Sequence, residues 1–222
     1  MGKLYIIGTP IGNLKDISIR AIQTLKKLDI LYCEDTRITK KLLNRYKIKM
    51  LTKSYNEHNE LKRIPEIINL LKQGKVVGLV SDAGMPVISD PGYKLIREVL
   101  INKLELDIIP GPTAFVSALI LSGFPPNSFY FGGFLPDKRG KRQKKLLQIK
   151  DLNCTLIFYL SPYKVYKTIE DIYTVLGDRK LCLIREITKL YQERLVFSAK
   201  EFLEKYKDKK WKGELVLLIK NE

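Results

Sequence analysis

The chain has 222 residues, 45% of them hydrophobic, which suits one large domain or two small ones with real cores. It has no apolar run long enough to cross a bilayer and no signal-peptide pattern ahead of its first strand-like segment, so a soluble cytoplasmic protein is expected and a membrane protein is excluded. A formal net charge of +16 fits either a lysine-biased proteome or a polyanionic partner, most simply nucleic acid.

Leu4–Ile7 reads as a short buried strand that ends in Gly8-Thr9-Pro10-Ile11-Gly12-Asn13. This glycine-bearing loop is neither a Walker A sequence nor a Rossmann fingerprint, and Pro10 removes a backbone N–H that an anion would use. It reads as a loop that lets another group approach closely, without phosphate specificity. Asp16 or Ser18 can cap the next helix, where Ile19, Ile22, Leu25 and Leu28 recur at helical spacing. Ile30–Cys33 is the second strand and delivers Glu34-Asp35-Thr36-Arg37 at its carboxyl end, either as an internal salt bridge or as part of a site. Thr36 can cap the helix carrying Ile38, Leu42, Leu43 and Tyr46. Leu51–Tyr55 is a weaker strand, followed by Asn56-Glu57-His58-Asn59-Glu60 with the only histidine of the chain, among hydrogen-bonding groups at a strand–helix junction. A helix then runs through Ile64, Ile67, Ile68 and Leu71 to Gly74 as C-cap.

The stretch Ser81–Gly92 follows the apolar strand around Val76–Val80 and gathers two aspartates, two glycines and two prolines. Such punctuation stops a strand at its carboxyl end and makes a tight loop, where open α/β sheets place their ligands. Tyr93, Ile96 and Leu100 mark another helix. Leu106–Ile109 is a strand that stops at Pro110-Gly111-Pro112-Thr113-Ala114, and Thr113 or the neighbouring backbone starts the helix from Ala114 to Leu121. Strands that alternate with helices demand a parallel sheet covered on its faces.

The pattern then changes. Phe129–Pro136 is aromatic and glycine-rich, and these aromatics are either core residues of a strand or a platform for base stacking. Lys138, Arg139, Lys141, Arg142, Lys144 and Lys145 follow with no acid among them, as a solvated face, a flexible loop or a nucleic-acid contact. A second, looser cluster runs from Lys205 to Lys212. Thr155–Leu160, Lys180–Ile184, Leu195–Phe197 and Glu214–Ile219 read as strands, with a helix from Val165 to Leu176. This half is expected to be α+β with antiparallel content, giving domains of residues 1–111 and 112–222. Cys33, Cys154 and Cys182 fit no CxxC metal site and read as buried free thiols in a reducing compartment.

Several segments occur together in an order that is similar to one family. They are Leu4–Leu14, Glu34–Arg37, Ser54–Glu60, Ser81–Gly92, Ile109–Ala114, Gly133–Pro136, Arg185–Lys189 and Lys212–Glu214. The set resembles the rRNA-methylating members of the tetrapyrrole methylase superfamily over nearly the whole chain. The resemblance implies a two-domain α/β enzyme: a mostly parallel N-terminal sheet with helices on both faces, a C-terminal domain with a mixed, partly antiparallel sheet, and S-adenosyl-L-methionine held in the cleft between them. It implies methylation of the ribose 2′-oxygen of a decoding-centre cytidine in 16S rRNA, on the small ribosomal subunit, by a homodimer. Alternatives are a porphyrin or corrin C-methyltransferase of the same superfamily and a non-catalytic RNA-binding subunit.

Carried over by position, Pro10, Asp82, Met85, Thr113, Ala114 and Leu160 are implied to border the cofactor. Asp35 and His58 are the candidates for receiving the hydroxyl proton, and Arg37 for holding a phosphate or pairing with an acid. RNA is expected to be gripped by Lys138, Arg139, Lys141, Arg142 and the lysines after them. The sequence departs from the family pattern at Asn56, where histidine is usual, and at Tyr159-Leu160-Ser161-Pro162-Tyr163-Lys164, where the usual acid, histidine and arginine are replaced. The small C-terminal domain of longer relatives is expected to be missing.

Overall fold

The apolar runs of the first half become β1 (Lys3–Ile7), β2 (Ile30–Cys33), β3 (Leu51–Ser54), β4 (Val76–Val80) and β5 (Glu105–Ile109). The structure is a computed structural model and describes residues 2–221. Between the strands lie α1 (Ile19–Leu25), α2 (Thr36–Arg45), α3 (Glu60–Lys72) and α4 (Tyr93–Ile101). All four strand pairs are parallel, in the order β3-β2-β4-β1-β5. Each parallel pairing needs a crossover, and the helices supply it while covering the sheet.

Leu4, Ile6, Tyr32 and Leu79 bury one face against Ile67 and Leu71 of α3 and Leu95 and Val99 of α4. Ile7, Leu31, Cys33 and Val80 bury the other against Leu25 of α1 and Leu42 and Leu43 of α2. Burial on both faces is why these strands read as continuous apolar runs. From β1 the chain crosses β4 to reach β2, and from β4 it crosses β1 to reach β5. The carboxyl ends of β1 and β4 therefore flank the switch point where ligands gather in sheets of this kind.

The first compact unit ends at Thr113 and the second begins at Ala114. The second contains α5 (Ala114–Ser122), β6 (Phe129–Phe134), α6 (Arg139–Gln148), β7 (Cys154–Leu160), α7 (Val165–Leu176), β8 (Lys180–Arg185), β9 (Glu193–Ser198), α8 (Ala199–Lys205) and β10 (Leu215–Asn221). Its sheet runs β6-β7-β10-β8-β9, with β6 parallel to β7 and every other pairing antiparallel, so it is mixed as expected. Leu146, Ile169, Ile172 and Phe202 of α6, α7 and α8 pack on Phe158, Leu183 and Leu217 to form its core.

Two helices go beyond the sequence reading. The basic segment is α6, a helix of straight-chain residues with good helix propensity that turns Leu146 fully inward. The second is α8, which opens with a capping box: the Ser198 hydroxyl accepts from the Glu201 N–H at 3.2 Å, and the Glu201 carboxylate accepts from the Ser198 N–H at 2.6 Å. All three cysteines are free thiols, Cys33 and Cys182 buried and Cys154 half-buried. Among the described residues, no helix is long and apolar enough to cross a membrane.

Candidate active site

At the carboxyl edge of the first sheet the loops after β1, β4 and β5 are stitched together through their backbones. Gly8 N–H donates to the Ile109 carbonyl at 2.9 Å; Thr9 and Gly84 exchange N–H donors and carbonyls at 2.9 and 3.2 Å. The buried Thr9 hydroxyl donates to the Ser81 carbonyl at 3.3 Å, and the Gly111 N–H points at the Met85 sulfur at 3.2 Å. Two glycines make this approach possible. A Cβ on Gly8 would stand 2.6 Å from the Met85 sulfur and 2.7 Å from Gly111; one on Gly111 would stand 2.8 Å from the Gly8 Cα. No side chain fits there. The segments carrying Pro10, Asp82, Met85 and Thr113 are thereby brought to one edge.

The loop after β2 joins this edge at Asp82: the Asp35 N–H donates to the Asp82 carboxylate at 2.9 Å, and the Glu34 carboxylate accepts from the Asp82 backbone. Burial raises the carboxyls of Glu34 and Asp82 above their ordinary values, and neighbouring acids add to the rise. Asp90 is pushed up to about 6, first by burial, with Glu34 and Asp82 adding to it against an opposing hydrogen bond from Ser81. Its loop is strained: Val87 and Ser89 hold φ of 76° and 68°, left-handed values that a β-branched residue adopts at a cost of roughly 1–3 kcal/mol.

Asp35 has the opposite environment. Its oxygens accept from the Arg37 Nε at 3.0 Å and Nη2 at 2.6 Å, and its Oδ1 accepts from the Arg37 N–H at 2.8 Å as the N-cap of α2. These bonds hold the carboxyl down to about 2. Arg37 makes them while remaining 87% exposed along its side chain.

His58 lies exposed just before α3. The Asn56 carboxamide accepts its backbone N–H at 3.2 Å, and among the described residues its imidazole has no hydrogen bond or ion pair. The polar groups around it serve each other: Asn59 bonds Ser54 and the Asn56 N–H, and Glu60 takes Lys94 at 2.6 Å. Of this junction, Glu57 is the group felt by Glu34.

In the second unit the expected RNA-gripping residues separate into two kinds. Arg142 is 4% exposed, and its Nε donates to Asp171 at 2.7 Å while its Nη1 donates to the carbonyls of Pro136 and Asp137. Asp171 is wholly buried and also receives Arg139 Nε at 3.1 Å and Gln143 at 2.7 Å. The sequence placed Arg142 among the substrate contacts; its charge is instead spent inside the unit, on an acid 29 residues away. Lys138, Lys141 and Lys144 stand exposed, Arg139 is exposed and shared with Asp171, and Lys145 lies over the Tyr130 ring at 5.3 Å.

The aromatics of β6 are mostly packing residues. Phe131 stacks on Phe115 with centroids 4.2 Å apart and meets the edge of Tyr159, and Tyr130 packs against Phe158. Phe129 and Phe134 keep exposed surface. Leu160, expected beside a ligand, has its side chain in the second unit's core with Val165 and Leu215. Asp90 was not singled out from the sequence, although the turn-rich run that contains it was.

A family model described as Tetrapyrrole (Corrin/Porphyrin) Methylases matches residues 3–203. Over 220 residues the chain is 50% identical to the Ribosomal RNA small subunit methyltransferase I of Thermotoga maritima, covering 99% of this chain and 98% of that one. It is 44% identical to the protein of the same name from Rickettsia prowazekii, over 97% of this chain and 77% of that one. A solved structure described as diphthine synthase superposes with a TM-score of 0.77 at 13% identity, covering 99% of this chain and 89% of that one, a likeness of fold alone.

Proposed function

The chain belongs to the Tetrapyrrole (Corrin/Porphyrin) Methylases, and from that premise we propose that it moves a methyl group from S-adenosyl-L-methionine to the ribose 2′-oxygen of a decoding-centre cytidine in 16S rRNA. The observation that carries the reading is the edge of the first sheet, where a glycine-lined seam between β1 and β5 adjoins half-buried carboxylates after β2 and β4. That edge fits the donor. Half-buried acids favour a ligand bearing sulfonium and ammonium charges and repel one bearing phosphates. When bound, the donor supplies a methyl group on a positively charged sulfur.

Pro10, Asp82, Met85, Thr113 and Ala114 are the residues proposed to hold it. Pro10 and Met85 give apolar walls. Asp82 accepts from hydroxyl or ammonium donors, and the Asp35 N–H fixes its orientation. Leu160, with its side chain packed away, has only its backbone for such a role.

The 2′-hydroxyl must lose its proton as the methyl arrives, and correct alignment supplies much of the remaining rate. Asp35, held at about 2, is a weak acceptor near neutrality, so its proposed task is to hold Arg37 and the Asp82 loop. Asp90, near 6, is matched to accept the proton, and the free imidazole of His58 is the second candidate. Arg37 and the exposed Lys138, Arg139 and Lys141 are proposed to meet RNA phosphates. A soluble cytoplasmic homodimer completes the proposal.

Labelled donor incubated with small ribosomal subunits lacking this methylation tests it. Label on a 16S cytidine ribose is expected. Label on a tetrapyrrole and none on rRNA would favour the porphyrin or corrin reading, and no donor binding by calorimetry would leave an RNA-binding subunit.

A further inference from the structure

The chain contains no Asp or Glu between Asp35 and Glu57, yet that interval holds Arg37, Lys40, Lys41, Arg45, Lys47, Lys49 and Lys53. The fold winds most of these onto one surface. In α2, Arg37, Lys41 and Arg45 recur every four residues, with Lys40 alongside, so all four share a face. They are exposed, and Lys47 and Lys49 continue the exposed basic run past the helix end. Thr39, Leu42 and Leu43 on the opposite face are buried in the first unit's core.

Elsewhere in this unit several basic residues are balanced by acids, while Lys15, Arg20, Lys26, Lys27, Lys62, Lys72, Arg97 and Lys103 have no ion pair among the described residues. Lys53 and Arg63 pair with Glu66, Lys94 with Glu60, Lys75 with Asp29 and Lys3 with Asp107. Among the described residues Lys40, Lys41, Arg45, Lys47 and Lys49 have no ion pair. A lysine-biased composition raises the number of cations everywhere; it does not clear acids from one helix face.

The same helix begins at the acid-lined loop. Asp35 caps it, and the Asp35 N–H is bonded to Asp82. A cationic surface about 15 Å long, from ten residues at 1.5 Å each, thus leads away from a cluster of carboxylates. Phosphates are attracted to the first and repelled by the second. A polyanion laid along α2 is therefore held by its backbone and kept from putting a phosphate into the acid cluster.

We propose that the exposed face of α2, continued by Lys47 and Lys49, is a track for the phosphodiester backbone of the RNA substrate, leading that strand to the loop after β4. This rests on the rRNA reading above and adds an RNA surface in the first unit to the one on α6. The apolar side of α2 is already used by the core, so the helix has no free face to insert into a lipid surface.

The test uses the full chain with Lys40→Gln, Lys41→Gln and Arg45→Gln combined, changes that keep helix propensity. Binding to small ribosomal subunits is measured across a salt series, with donor binding and the unfolding midpoint as controls. Each lost phosphate contact removes about 0.7 to 0.9 from the slope of log affinity against log salt, so the slope should fall by about 2 and affinity at 0.1 M salt by tenfold or more. Both controls should match the unaltered protein. An unchanged slope and affinity would overturn the track. So would a variant that loses only its binding to phosphatidylglycerol vesicles and keeps its RNA affinity. If the unaltered protein binds donor but no small subunits, the rRNA reading itself falls and the track with it, a result distinct from equal binding by both proteins.

Discussion

Two basic helices, α2 and α6, each carry an arginine bound to an aspartate, and the two pairs do different things. Arg142 and Asp171 are almost wholly buried, with two further donors and two carbonyls completing their bonds. Arg37 and Asp35 sit at the start of α2 with the guanidinium in solvent and the Asp35 backbone N–H bonded to the Asp82 carboxylate of the neighbouring loop. A buried pair of this kind fixes how α6 docks on α7. An exposed pair beside a cluster of raised carboxylates sets local charge. Counting cations on the sequence ranks α6 first; burial and partnering reverse that order.

Breaking the buried pair should give the largest effect. Asp171→Ala leaves Arg142 charged and unpaired in the interior, and urea denaturation should show a loss of about 3–5 kcal/mol. Lys141→Gln on the same helix should fall within about 0.5 kcal/mol of the unaltered protein. If both behave alike, α6 is not organised around Asp171.

At the α2 end the effect should appear in turnover and not in unfolding. Asp90→Asn is expected to slow methyl transfer by about 10²–10⁴-fold with donor binding kept, the size of a general base contribution. In the unaltered protein kcat/KM should rise with pH through about 6, as Asp90 ionises. Asp90→Asn should abolish that limb; if His58→Ala abolishes it instead, the proton goes to the imidazole.

The same carboxyl makes a smaller prediction about stability. Its folded pKa lies above its ordinary 3.8, so between these values the folded state binds more protons than the unfolded one. Stability should decline as pH rises from about 3.8 to about 6, and Asp90→Asn should flatten that decline in thermal melts. The smallest expected change is Arg37→Gln. It should lower the unfolding midpoint near neutrality only slightly, let the Asp35 carboxyl rise from about 2 toward its ordinary range, and lower the RNA salt slope by about one contact.

The parallel sheet was legible because strands buried on both faces leave unbroken apolar runs such as Ile30–Cys33, closed by loops rich in glycine and proline. The candidate loops were legible for the same reason: they are where those runs stop. What could not be read were interactions between distant residues. Nothing near Arg142 announces Asp171, and the proton affinity of Asp90 depends on Glu34, two strands away in sequence. Leu160 reads as a ligand neighbour by position, yet the pleat turns its side chain into the core. Two signals were present and passed over. Ser198 and Glu201 stand at capping-box spacing, and the acid-free interval after Asp35 looks diffuse until a helix gathers its lysines and arginines onto one face.

The account depends on the acid-lined edge of the first sheet holding a cationic methyl donor. Calorimetric titration of S-adenosyl-L-methionine into the unaltered protein and into Asp82→Asn, with RNA affinity measured in parallel, tests this most directly. The predicted result is donor binding weakened by tenfold or more with RNA affinity unchanged, about 1.4 kcal/mol for a lost charge-assisted bond. Equal donor binding by both proteins would contradict it.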